Sequence, residues 1–242
     1  KVMLEESDGR LPIHVVDMQG PFDACAQLCG YENLILMAYD EPDRYHRFLS
    51  LMGDAFVAFW QAQERLLGDR FVGTHLFGWD WVPDNHRATL SIDSLVMVSP
   101  DFFDEFVEPH LAGIRDRLGP LTVHSCGDFR HMIPSLVRTG SIEGVNASQL
   151  GVGQLLEAGL SRDILVILAV PADQAAANMK TIVAEGLSAD LSSYGPYPPD
   201  ESGTRSKPLR DWTAAEMEHF RIVEEELLEA ARIPAPVPPA CD

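Results

Sequence analysis

LTVHSCGDFRHMIPSLVRTGSIEGVNAS, residues 121–148, is the stretch on which the fold turns. LTVHSC (121–126) reads as a strand, residues 130–139 carry a helical pattern, and EGVNA (143–147) reads as the next strand. Strands separated by helices of about ten residues imply βαβ units and a parallel sheet. A strand repeats every two residues, so His124 and Cys126 share a face. Imidazole nitrogen and thiolate both suit Zn²⁺, and such a pair can hold one ion. The same two residues also read as a hydrogen-bonded histidine beside a small buried thiol.

Downstream the alternation continues: a helix near 151–159, strand ILVILA (164–169), helix 172–186 and strand ADLSS (189–193). The Pro-, Gly- and Ser-rich segment 194–210 reads as a loop. A last amphipathic helix, about 212–232, turns Trp212, Met217, Phe220, Ile222, Val223 and Leu227 inward. Upstream, LPIHVVD (11–17) reads as a strand, followed by a helix from Pro21 that Gly30 stops. Pro42 opens a long helix to Leu67, with Tyr45, Phe48, Leu49, Met52, Phe56, Phe59 and Trp60 on its apolar stripe. RFVGTHLF (70–77) reads as a strand and 83–93 as a polar stretch. Ser99-Pro100-Asp101 opens a helix that Pro109 is placed to kink.

These strands number six, near 12, 71, 121, 143, 164 and 189. The fold class is α/β, either a (β/α)8 TIM barrel incomplete at its N-terminus or an open doubly wound sheet. No G-x-G-x-x-G follows a strand, which removes the commonest dinucleotide-binding reading.

Composition narrows the partners. Lys and Arg number 18 against 37 Asp and Glu, a net charge of −19, which opposes binding to nucleic acid or an anionic membrane surface. No apolar run approaches the roughly 20 residues of a membrane span. The expectation is a soluble, cytoplasmic protein with a small-molecule substrate. The cysteines Cys25, Cys29, Cys126 and Cys241 are too scattered for a disulfide framework. Cys25 and Cys29 lie at i, i+4, a spacing that can hold metal, but DACAQLCGY reads as a core helix. Residues 1–232 are expected to form one barrel domain lacking its first unit or two, and 233–242 a Pro-rich tail.

In α/β folds the working groups gather at the carboxyl ends of strands. That rule selects Asp17 and Gln19; His75, Trp79 and Asp80; Asp128; Asn146 and Ser148; and Ser192, Ser193 and Tyr194, besides His124 and Cys126. Asp93, in SIDSLVMVSP, reads either as a pocket carboxylate or as a loop cap. Trp79, Asp80 and Trp81 read either as a wall and acid for a flat substrate or as indoles closing one end of the fold.

Four places together resemble the uroporphyrinogen decarboxylase-like superfamily: QGPFDACAQLCG (19–30), SIDSLVMVSPDFFDEFVEPHL (91–111), VHSCGDFRHMIPSLVRTGSIEGVNAS (123–148), and the βα pattern that follows. The likeness runs from about residue 11 to 195 and implies a (β/α)8 barrel with its site at the strand carboxyl ends. The family's corrinoid-linked methyltransferases bind zinc through H-x-C and a later Cys, and the metal activates a thiol or similar acceptor. His124 and Cys126 match the first two positions. LSSYGPYPPD (191–200) contains no later Cys, so zinc either takes Asp, Glu or His as its third ligand or is absent. The resemblance thus implies a zinc-dependent methyltransferase working with a corrinoid or a corrinoid protein, with Asp93, Asp80 and Tyr194 as catalytic residues. Met18, Gln19, His75, Trp79, Asp128, Asn146 and Ser148 would contact substrate. The family's decarboxylases are metal-free and hold carboxylated tetrapyrroles through an N-terminal Arg-rich motif and an early aspartate, neither of which matches here. A non-catalytic ligand-binding barrel, with Trp79 and Trp81 as contact residues, is the third reading.

Overall fold

The computed structural model describes residues 2–73, 88–194 and 211–231. The strands are β1 (Ile13–His14), β2 (Phe71–Val72), β3 (Ala88–Ser91), β4 (Leu121–Ser125), β5 (Ile142–Ala147), β6 (Leu165–Pro171) and β7 (Ala189–Tyr194). The helices are α1 (Val2–Glu6), α2 (Pro21–Cys29), α3 (Tyr31–Asp40), α4 (Pro42–Leu67), α5 (Pro100–Phe102), α6 (Glu108–Leu118), α7 (Ile133–Thr139), α8 (Val152–Glu157), α9 (Ala172–Glu185) and α10 (Ala214–Ala231). β3 to β7 form a five-stranded parallel sheet in sequence order, and β1 pairs in parallel with β2. Sequential parallel order with helical crossovers is consistent with part of an α/β barrel. The described strands do not include a closed eight-stranded ring.

Alternation gives the sheet two chemically different faces. Leu90, Val123, Val145, Val166 and Leu168 belong to the main apolar core, whereas Leu165 and Ile167 form a small cluster apart from it. On the second face lie Thr89, Ser91, Thr122, His124 and Asn146, all buried. The strand register sets Ser91 beside His124, His124 beside Asn146, and Asn146 beside Ile167. Gly144 is required in this row, because a Cβ there would lie 2.3 Å from Thr122 Oγ1.

β3 corrects the polar reading of residues 83–93: Ala88–Ser91 is a wholly buried strand. Half its side chains are Thr and Ser on the polar face, which erased the apolar signature used to find strands. The strand expected over 11–17 is reduced to Ile13–His14, with Leu11 and Val16 exposed. Gly30 does stop α2, yet at φ +88° it turns the chain directly into α3, a helix the breaker pattern concealed.

α4 spans the expected range, with Pro42 in its first turn and Tyr45, Leu49, Phe56 and Trp60 buried, although Phe59 is half exposed. The Ser99 hydroxyl caps α5 by accepting from Phe102 N–H at 3.2 Å. A π-helical turn at Phe103–Val107 then joins α5 to α6. Pro109, which offers no N–H, sits just beyond that turn. α10 opens on a capping box, with Glu216 N–H donating to Thr213 Oγ1 and Thr213 N–H to Glu216 Oε2. Of its expected inward residues Leu227 packs on the core, joined by buried Ala230, whereas Met217 and Ile222 are exposed and the side chains of Phe220 and Val223 lie outside the described residues. Among the described residues, no helix is long and apolar enough to cross a membrane.

Candidate metal site at the strand ends

The polar face continues past the strand ends with the same period of two: Ser91 leads to Asp93, His124 to Cys126, and Asn146 to Ser148. Asp93, His124 and Cys126 come together there, with one ligand atom from each lying within 4.8 Å of the others. His124 Nε2 is 3.5 Å from Cys126 Sγ and 3.7 Å from Asp93 Oδ1. A tetrahedral ion with bonds of about 2.0–2.3 Å separates its donors by about 3.3–3.8 Å, so these two spacings fit one zinc-sized ion. Nitrogen, sulfur and carboxylate oxygen are all zinc donors, so the chemistry fits as well.

The neighbouring strand sets the histidine tautomer. Asn146 donates from Nδ2 to the Ile167 carbonyl at 3.1 Å, which turns its Oδ1 to His124 Nδ1 at 2.5 Å. An acceptor at that distance requires the proton on Nδ1, leaving the Nε2 lone pair on the side of Cys126 and Asp93. This is the arrangement a metal-binding histidine needs. Asp93 also accepts from Cys126 N–H through Oδ1 at 2.9 Å, tying the short turn after β3 to the turn after β4.

That first turn is held from behind by α2. Gly20 N–H donates to the Ser91 carbonyl at 2.6 Å, and a Cβ on Gly20 would lie 3.0 Å from the same oxygen. This close approach brings Asp23, buried in the first turn of α2, toward the Ser94 segment. Burial pushes the Asp23 carboxyl above its ordinary range, against the lowering effect of Tyr31 and Ser94. Tyr31 OH donates to Asp23 Oδ1 at 2.8 Å, and its phenol is raised by burial and by that carboxylate.

The other expected site residues fall in different places. Asp128 is exposed and paired with Arg130 at 2.8 Å, and that guanidinium holds its carboxyl down at about 2. Ser148 is buried at the end of β5 and donates to Gln149 Oε1 at 2.5 Å. Met18 accepts from Gln63, and Gln19 bonds to Asp17, which supports its left-handed φ of +57°. The backbone of Tyr194 ends β7 beside Pro171; its side chain, and all of His75, Trp79, Asp80 and Trp81, lie outside the described residues. Cys25 is buried, its thiol pushed up to about 12 by burial, and Cys29 donates to the Cys25 carbonyl, in keeping with the core reading. Cys241 lies outside the described residues. Gln149, which accepts from Gly127 N–H beside Cys126, is a neighbour that the strand period could not reveal, because it falls on the other parity from Asn146 and Ser148.

No protein-family model matches the chain. It is 25% identical over 134 residues to the methylated-thiol–coenzyme M methyltransferase of Methanosarcina mazei, an alignment covering 55% of this chain and 32% of that protein. A solved methyltransferase from Methanosarcina mazei superposes with a TM-score of 0.59 at 15% identity, over 95% of this chain and 61% of that one. The chain therefore spans about a third of the curated relative by alignment and under two thirds of the solved one. The structural likeness supports the fold, a parallel α/β arrangement of the barrel kind.

Proposed function

We propose that this chain is the site-bearing part of a metal-dependent methyltransferase of the uroporphyrinogen decarboxylase-like superfamily, with Zn²⁺ held by Asp93, His124 and Cys126. The observation that carries the reading is the convergence of the three donors at strand ends, with the His124 Nε2 lone pair turned toward the other two by Asn146. Asp93 supplies a third donor in a sequence whose 191–200 segment lacks the later cysteine of the zinc methyltransferases it resembles. The distant likeness to a thiol-linked methyltransferase supports the same direction. The chemistry a zinc ion supplies in such a donor set is Lewis acidity toward a thiol or similar methyl acceptor. The chain's own residues do the rest: Asn146 holds the Nδ1 proton, Asp93 anchors the Cys126 backbone, and the strand face keeps His124 and Asn146 buried. On this reading the methyl group arrives on a corrinoid carried by another protein, and no residue of this chain is assigned to it.

The test is metal analysis of the purified protein together with demethylation of methylcobalamin by a thiol. About one zinc per chain is expected, lost in His124→Ala and reduced in Asp93→Ala, with activity abolished by chelator and restored by zinc. Wild-type protein containing well under one zinc, or activity that survives chelation, would overturn the reading and favour the metal-free decarboxylase alternative.

A further inference from the structure

Resting on this metal site, we propose that Gln149 is a positioning residue, a side-chain latch that fixes the backbone of Cys126 so that its sulfur stays beside His124 and Asp93. The Cα of Cys126 lies between two peptide planes, and each is anchored by a side chain from another strand end. The preceding plane is held by Asp93 Oδ1, which accepts from Cys126 N–H at 2.9 Å. The following plane is held by Gln149 Oε1, which accepts from Gly127 N–H. With both flanking planes pinned, φ and ψ of Cys126 are set, and with them the direction of its Cα–Cβ bond.

Two further contacts make the latch specific. The Ser148 hydroxyl donates to the same Gln149 oxygen at 2.5 Å, which fixes the orientation of the amide. Gly127 has φ +79°, and a Cβ there would lie 2.8 Å from Val96 Cγ1, so the turn is pressed between Val96 on one side and Gln149 on the other. Gln149 is itself exposed, so filling the core is not its role. Its contribution is an acceptor at one place, and Leu at this position keeps the bulk while removing the acceptor.

Cobalt serves as the probe because a thiolate ligand gives it a near-ultraviolet charge-transfer band. In the full chain, Gln149→Leu is expected to bind Co²⁺ about 10- to 100-fold more weakly, with a weaker thiolate band per bound ion and an unchanged melting temperature. Gln149→Glu keeps the acceptor and is expected to restore the band per bound ion. The band decides here, because the added charge alone tightens any cation. Wild-type affinity and band in Gln149→Leu would overturn the latch. Alkylation of the metal-free protein, mapped by peptide, gives a second readout: Cys126 is expected to change rate several-fold in Gln149→Leu, with buried Cys25 as the unreactive reference. An unchanged Cys126 rate overturns the latch. Wild-type protein that binds no cobalt overturns the metal site instead, and the alkylation comparison still decides the role of Gln149.

Discussion

Asn146 spends both ends of its amide on buried partners, one on β4 and one on β6. Asn146→Leu, similar in volume, removes both bonds at once and leaves the Nδ1–H of His124 and the Ile167 carbonyl without them. A buried group stripped of its partner costs about 1–3 kcal/mol. The imidazole is also released to take either tautomer, so zinc affinity is expected to fall about 10- to 100-fold. Competition with a chromophoric chelator, alongside thermal melting, separates the two effects. His124 and Cys126 were legible in the sequence because a period of two places them on one face. The function of Asn146 was legible only as a polar residue at a strand end. Its pairing depends on the register between β4 and β5, which no local pattern encodes.

At the scale of elements, α4 and α6 meet through a pair of stacked histidines. His46 Nδ1 and His110 Nε2 are 3.0 Å apart, the ring centroids 5.3 Å, and His110 Nδ1 lies 3.5 Å from Ser50 Oγ. A nitrogen–nitrogen contact of that length has room for one proton, so the two facing nitrogens cannot both carry one. Burial and the neighbouring His46 lower His110 from its ordinary value to about 4. Between about pH 6.5 and 4 the unfolded chain therefore binds a proton that the folded chain refuses. Stability is intact above that window and lost as pH falls through it, by about 1–2 kcal/mol once solvent screening of a half-buried group is allowed for. Urea titrations at several pH values should show this acid loss, and His110→Phe should flatten it. The long α4 was plain in the sequence, since its apolar stripe repeats over many turns. The short β3 and α3 were not, because a strand with Thr and Ser inward and a helix beginning at a breaker glycine both contradict the patterns that mark such elements.

Taken as a whole, the parallel order of the strands was legible from 121 to 194, where helix and strand signals alternate cleanly. The identity of the third donor was not, because Asp93 sits 31 residues before His124 and meets it only when β3 and β4 pair. A ligand that binds only the folded chain stabilises it by mass action, about 2.7 kcal/mol at a free concentration 100 times its dissociation constant. Zinc is thus expected to raise the melting temperature of the wild-type protein and to leave that of His124→Ala unchanged, as scanning calorimetry would show. The donors and their supports come from three consecutive strands, and in each the working residue and its neighbour lie on opposite sides of the sheet. Sliding β4 by one residue against its partners would bring Val123 or Ser125 to the place of His124. The cluster therefore works as a register gauge, and ion uptake during refolding would report the moment at which β3, β4 and β5 reach their native alignment.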